Sequence, residues 1–131
     1  MPPVPDPGTG PLARLLGITR LSMSDGRASF EVAVRPEHMN PHAVVHGGVV
    51  ATLADYAMAQ LDAGERCATL EVKINYLVSV SAGRLRAEAS VVPRGRRVAV
   101  LETRVTDHTG RLVAVGLGSF AIRGGVSPTS E

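Results

Sequence analysis

One stretch of this 131-residue chain holds the side chains best suited to chemistry: His38-x-Asn40-x5-His46-Gly47-Gly48-x6-Asp55. His46-Gly47-Gly48 stands where a loop runs into a helix. The first backbone N–H groups of a helix lack internal partners and lie at the positive end of its dipole. Two glycines permit a tight turn and close approach of a ligand. That combination suits an oxyanion, and Asn40 offers a side-chain amide as a second donor. Asp55 follows about two turns later, too far along to cap the helix. A carboxylate among small residues, short of partners, has its pKa raised by desolvation and can serve as a base or a nucleophile.

Other readings of the same residues stand beside this one. Asp55 could be solvated, or paired with an Arg across an interface. His46 could be a core histidine bonded to backbone, with His38 and His42 as plain loop residues. A zinc site from His38, His42 and His46 has helical spacing, but Pro41 lies between them and no helical pattern supports it.

These residues need elements to hold them. Gly47 to Leu61 is the long helix of the chain. Val49, Val50, Leu53, Ala54, Ala57, Met58 and Leu61 share one face. The opposite face carries Ala51, Thr52, Asp55, Tyr56, Ala59 and Gln60 in place of Lys and Glu, so it too should be covered, by a second subunit. Pro11 to Gly17 predicts a short helix docked by Leu12, Leu15 and Leu16. From Ile18 a hairpin alternates through Leu21 and Met23, turns at Ser24-Asp25-Gly26, and continues through Ala28, Phe30, Val32 and Val34.

Four further strands are predicted. The first, Ala68 to Leu77, buries Leu70, Val72, Ile74 and Tyr76, and the second, Arg84 to Val92, buries Leu85, Ala87, Ala89 and Val91. Val98 to Asp107 and Arg111 to Ile122 complete an antiparallel meander. Gly116 and Gly118 on one face of the last strand call for something packed closely there, such as the helix. The fold class is α+β: one apolar helix across a curved antiparallel sheet of five or six strands. Residues 1–10 and 124–131 read as flexible tails around a domain of residues 11–123.

Composition narrows the function. Two Tyr, two Phe and no Trp leave no aromatic platform for stacking bases, and a net charge of +2 comes without a basic tract. The lone Cys67 excludes an intramolecular disulfide. The first ten residues lack the pattern of a secretory signal, and the longest apolar stretch is interrupted by Asp55, so the expected compartment is the cytoplasm.

RPEHMNPHAVVHGGVVATLADYAMAQ resembles the PaaI-type (phenylacetic-acid-degradation) branch of the hotdog-fold acyl-CoA thioesterases, through an Asn, then His-Gly-Gly opening a helix, then Leu53-Ala54-Asp55 within it. The resemblance continues through LEVKINYLVSVSAGRLRAEASVV, PRGRRVAVLETRVTD and TGRLVAVGLGSFAI, and so spans Ile18 to Ile122. It implies a helix wrapped by a sheet, a homodimer whose sheets join, often a homotetramer, and active sites shared between subunits. It implies Asp55 as the residue that activates water or attacks the thioester, Gly47 N–H as oxyanion donor, and Asn40 and His46 assisting from the opposite subunit. The CoA part of the substrate would meet Gly48 and the basic Arg94, Arg96 and Arg97, although a charged hairpin accounts for those arginines equally well. No metal and no cofactor beyond the substrate are implied.

Two positions depart from the family pattern. Ala43 stands where a Gly is usual, three residues after the Asn. Val78, with Ser79 beside it, stands where many relatives carry a Ser or Thr that helps position water. Two rival activities remain. An enoyl-CoA hydratase on the same fold would need an Asp and a His where His38 and Ala43 stand. A non-catalytic acyl-CoA-binding protein would keep the groove without a competent carboxylate.

Overall fold

The computed structural model describes residues 10–24, 26–59, 67–92 and 97–122. Its elements are α1 (Gly10–Leu16), β1 (Thr19–Ser24), β2 (Arg27–Ala33), a 3-10 turn (Pro36–His38), α2 (Gly47–Ala59), β3 (Cys67–Tyr76), β4 (Arg84–Val92), β5 (Val98–Asp107) and β6 (Leu112–Ile122). Residues 1–9 and 124–131 of the predicted tails, the tip of the first hairpin at Asp25, the helix residues Gln60 and Leu61, and Arg94 and Arg96 lie outside the described residues, while Gly10, expected in the tail, is the first residue of α1.

The six strands form one antiparallel sheet in the order β1-β2-β4-β5-β6-β3. The predicted meander therefore needs correction. After β2 the chain runs through α2, and β3 pairs with β6 at the far edge instead of lying between β2 and β4. A helix laid across the inner face of a sheet delivers the next strand to the other side.

The core forms on the helix side of the sheet. Val49, Val50, Leu53, Ala54, Ala57 and Met58 are buried, as their spacing requires. They meet Phe30 and Val32 of β2, Leu85 and Ala87 of β4, Leu101 and Val105 of β5 and Phe120 of β6, all buried. A Cβ on Gly118 would stand 3.1 Å from Met58 Sδ, so the helix does pack closely there. A Cβ on Gly116 would instead meet Ile74 and Thr103 of the neighbouring strands, each at 2.8 Å. Among the described residues no helix is long and apolar enough to cross a membrane.

Three local expectations fail. Leu12 and Leu15 of α1 are exposed; Ala13 is the fully buried residue that docks the helix, because a small side chain lets two helices approach. The helix ends as foreseen at Gly17 (φ +81), with Ile18 N–H donating to Ala13 O and Gly17 N–H to Arg14 O. Leu21 and Leu70 were both expected inside, yet they are 43% and 60% exposed. Each sits in a register shift, between Arg20 and Ser22 in β1 and between Thr69 and Glu71 in β3. An extra residue in an edge strand reverses the alternation around it, and β1 and β3 are the two edges of this sheet. Tyr76, also expected inside, is 54% exposed at the end of β3.

Asp107 closes the β5–β6 turn. Its Oδ1 accepts from the Thr109 hydroxyl at 2.6 Å, Thr109 N–H at 2.9 Å and Arg111 N–H at 3.0 Å. The Thr109 hydroxyl bond, followed by the backbone bonds and the Arg111 charge, lowers its pKa from 3.8 to about 2 against a desolvation that works the other way. A depressed carboxylate stabilises the fold above its unfolded pKa, and that stability is lost as pH falls through the folded one. Urea midpoints should therefore drop between pH 3.8 and about 2, and Asp107→Asn should flatten that segment of the profile.

Candidate active site

The loop before α2 is anchored at His38, which is fully buried. Arg35 N–H donates to its Nδ1 at 3.0 Å, which leaves the proton of the neutral ring on Nε2, 2.9 Å from Leu16 O. Arg35 Nη2 donates to Leu15 O at 2.7 Å, so these two side chains together satisfy the last carbonyls of α1. The His38 carbonyl in turn accepts His46 N–H at 2.8 Å. The core histidine bonded to backbone is thus His38, where a plain loop residue was expected, while His46 is exposed. With both ring nitrogens engaged, His38 has none to offer a metal.

Asn40 shapes the loop tip. Its Oδ1 accepts from His42 N–H at 2.8 Å and Val44 N–H at 3.4 Å, which commits the carbonyl inward and leaves the amide NH2 as the donor end. Ala43 completes the turn at φ 62, in the left-handed region where a Cβ is strained. The substitution for the usual Gly is thus accommodated in a glycine-like conformation. Ala43→Gly should relieve about 1–2 kcal/mol of strain while giving back part of it in unfolded-chain entropy, a net gain of up to about 1 kcal/mol. Denaturant unfolding checks this; a clear loss of stability would contradict it.

At the start of α2 the Gly47–Gly48 peptide is held from both sides. Tyr76 Oη donates to Gly47 O at 2.9 Å, and Gly48 N–H donates to His46 Nδ1 at 2.7 Å. A Cβ on Gly47 would press on the Tyr76 ring at 3.2–3.3 Å. Gly47 is the first helical residue, so its own N–H has no carbonyl a turn earlier to bond. Gly47, Asn40, Tyr76, Val78 and Ser79 line one hollow of about 190 Å³.

Asp55 lies in a different and larger hollow, about 480 Å³, with Ala51, Thr52, Thr69, Val72, Ile74 and Tyr76. It is half-buried, and Thr69 Oγ1 donates to its Oδ1 at 3.1 Å. Burial raises its pKa above the usual carboxylate value, and the Thr69 bond partly counters this. Among the described residues no Lys or Arg pairs with it. Val78 and Ser79, the expected place of a helping hydroxyl, line the Gly47 hollow instead. The hydroxyl beside Asp55 is that of Thr69, which simple alternation places on the wrong face and the bulge at Leu70 turns inward. Arg97 is exposed and lines neither hollow.

Gly47 and Asp55 are eight residues apart on one helix, about 12 Å along its axis. Within one chain, a single carbonyl group cannot touch both.

Comparisons with known proteins place the chain in a family. Residues 42–114 match the family model described as the thioesterase superfamily. The chain is 28% identical to a 1,4-dihydroxy-2-naphthoyl-CoA hydrolase of Listeria monocytogenes, over 86% of this chain and 95% of that one. It is 31% identical to human acyl-coenzyme A thioesterase 13, over 79% of each. The solved structure of conserved protein PA5202 from Pseudomonas aeruginosa superposes with a TM-score of 0.82 at 34% identity, covering 87% of this chain and 94% of that one.

Proposed function

The chain belongs to the thioesterase superfamily, and from that premise we propose that it hydrolyses an acyl- or aryl-CoA to the free acid and CoA at a site built by two subunits. The observation that carries this reading is the environment of Asp55: a half-buried carboxylate with no cation beside it among the described residues, its pKa raised by burial, opening on a hollow lined by Val72 and Ile74. A thioester carbon needs a base or nucleophile of this kind on one side and hydrogen-bond donors for the developing oxyanion on the other. Gly47 N–H, at the positive end of α2, and the Asn40 amide are those donors, with His46 beside them.

The distance of about 12 Å between Gly47 and Asp55 supports a site whose two halves come from different chains. The free edge of β3 offers a place for the second copy. Among the described residues β3 pairs on one side only, with β6, and Leu70, Tyr76 and Leu77 are exposed along and beyond it. Pairing two such edges joins the sheets into a homodimer and covers the Asp55 face of α2. Further association to a homotetramer, contacts from Gly48, Arg94, Arg96 and Arg97 to the CoA moiety, a PaaI-type subfamily place and a cytoplasmic location complete the proposal.

In the reaction, the substrate carbonyl oxygen sits on the Gly47 amide. Asp55, ionised, either deprotonates a water or attacks the carbonyl carbon itself. The tetrahedral oxyanion is held by Gly47 and Asn40 until the C–S bond breaks; the CoA thiolate takes up the proton released by water, and where Asp55 has attacked, water hydrolyses the acyl–Asp55 anhydride to the free acid and restores the carboxylate. The test is a thiol-release screen over aryl, short-chain and medium-chain acyl-CoAs, run beside a crotonyl-CoA hydration assay. Release of free thiol supports the proposal. Tight CoA binding without release from any thioester favours a non-catalytic binding protein, and hydration without cleavage favours a hydratase.

A further inference from the structure

Three side chains bond the first turn of α2. Gly48 N–H donates to His46 Nδ1 at 2.7 Å, and Thr52 Oγ1 donates to Gly48 O at 2.7 Å. Both of these partners lie within four residues and move with the start of the helix. The third is Tyr76, 29 residues away at the end of β3, whose Oη donates to Gly47 O at 2.9 Å. Of the three, it alone ties the turn to the sheet.

The space at Gly47 is shaped by that ring. Neither Gly47 nor Gly48 has a positive φ, so the backbone conformation at 47 would accept a side chain. What excludes one is Tyr76: a Cβ would stand 3.2 Å from its Cζ and 3.3 Å from its Cε1 and Oη. The same ring lines both hollows, that of Asp55 and that of Gly47. A tyrosine that is 54% exposed adds little burial. A helix carbonyl that already accepts the N–H four residues on needs no second bond to be satisfied, though it has a lone pair to take one. What the extra bond supplies is orientation.

We propose that Tyr76 is the positioning residue for the oxyanion side of the site, holding the Gly47–Gly48 peptide so that Gly47 N–H and the His46 ring each keep one direction. This rests on the reading of Gly47 and Asp55 given above. Two glycines in succession leave a helix start prone to fray, because glycine has the most backbone freedom to lose. Tyr76 removes that freedom from the sheet side. Its proton on Gly47 O polarises the 47–48 peptide and strengthens the Gly48 N–H bond to His46 Nδ1. The neutral His46 ring then carries its proton on Nε2, as an exposed donor beside Gly47. Donors held in place before the substrate arrives need no reorganisation when the oxyanion forms.

The experiment compares Tyr76→Phe with the parent and with Asp55→Asn in the thiol-release assay across pH, together with amide hydrogen exchange at Gly48 and a thermal melt. Tyr76→Phe should lower kcat about tenfold, less than the loss of about 10²–10³-fold that follows removal of a donor outright. KM and the acid limb of kcat/KM should stay in place, because the missing bond acts only as charge develops on the carbonyl oxygen and Asp55 keeps its partners. Exchange at Gly48 should speed up about tenfold or more, with the melt little changed. Parent kcat in Tyr76→Phe beside an inactive Asp55→Asn would overturn the role of Tyr76 and leave the proposed function standing, whatever the exchange shows. So would a kcat loss with unaltered exchange at Gly48, or one accompanied by a raised KM, the mark of a substrate contact. An Asp55→Asn variant that still turns over would instead overturn the functional reading, and the role of Tyr76 with it.

Discussion

Asp55→Asn is expected to abolish thioester cleavage, by about 10³-fold or more, and to make the protein more stable at pH 7. The two effects share one cause. Asn keeps the shape and can still accept the Thr69 bond at Oδ1, so the fold and the hollow survive. It cannot take a proton from water or attack a carbonyl, so the chemistry stops.

On stability, burial raises the folded pKa of Asp55 above its unfolded value. A carboxyl shifted upward contributes stability below the unfolded pKa and loses that contribution as pH rises through the folded one. At pH 7 the ionised group is therefore a net cost, which Asn removes. Melting temperatures of the variant and the parent should diverge in favour of the variant at neutral pH and converge below about pH 4. The proposed dimer would bury this face further and enlarge the gap. Retained turnover by the variant would sink the assignment; a lower melting temperature at pH 7 would show that some unseen partner stabilises the charge.

The second large effect concerns assembly. If each site takes Asp55 from one chain and Asn40 with Gly47 from another, two dead variants should rescue each other. Asn40→Ala removes an oxyanion donor, a loss of about 10²–10³-fold, and Asp55→Asn removes the carboxylate. In a heterodimer of the two, one site carries both lesions and the other carries none. Random exchange at equal concentrations makes half the dimers mixed, so about a quarter of all sites should be intact. Activity should climb from background to about a quarter of the parent value after the subunits are unfolded and refolded together. A mixture that stays at background while the unmixed parent refolds to full activity would place both residues of a site in one chain.

Much of this was legible in the chain order of residues. The apolar stripe of α2 as far as Met58, the alternation of β2 and β4 and the helix end at Gly17 all depend on neighbours within a few positions, and stand as read among the described residues. The fold class follows from the same local patterns, and the thioesterase resemblance agrees with the family match. Periodicity is legible because each residue's face is set by the residue before it.

What the chain order could not contain is pairing at a distance. Whether β3 is central or an edge depends on where α2 delivers it, and α2 delivers it beside β6. The bulges at Leu21 and Leu70 exist only relative to the partner strand, and one of them decides that Thr69 meets Asp55 while Leu70 does not go inside. The anchoring of His38 to the end of α1 joins residues 22 positions apart. The sequence alone thus determined the elements and the residues able to do chemistry. The tertiary structure decided which of them meet, because hydrogen bonds between strands and the length of a helix are set by the path of the whole chain.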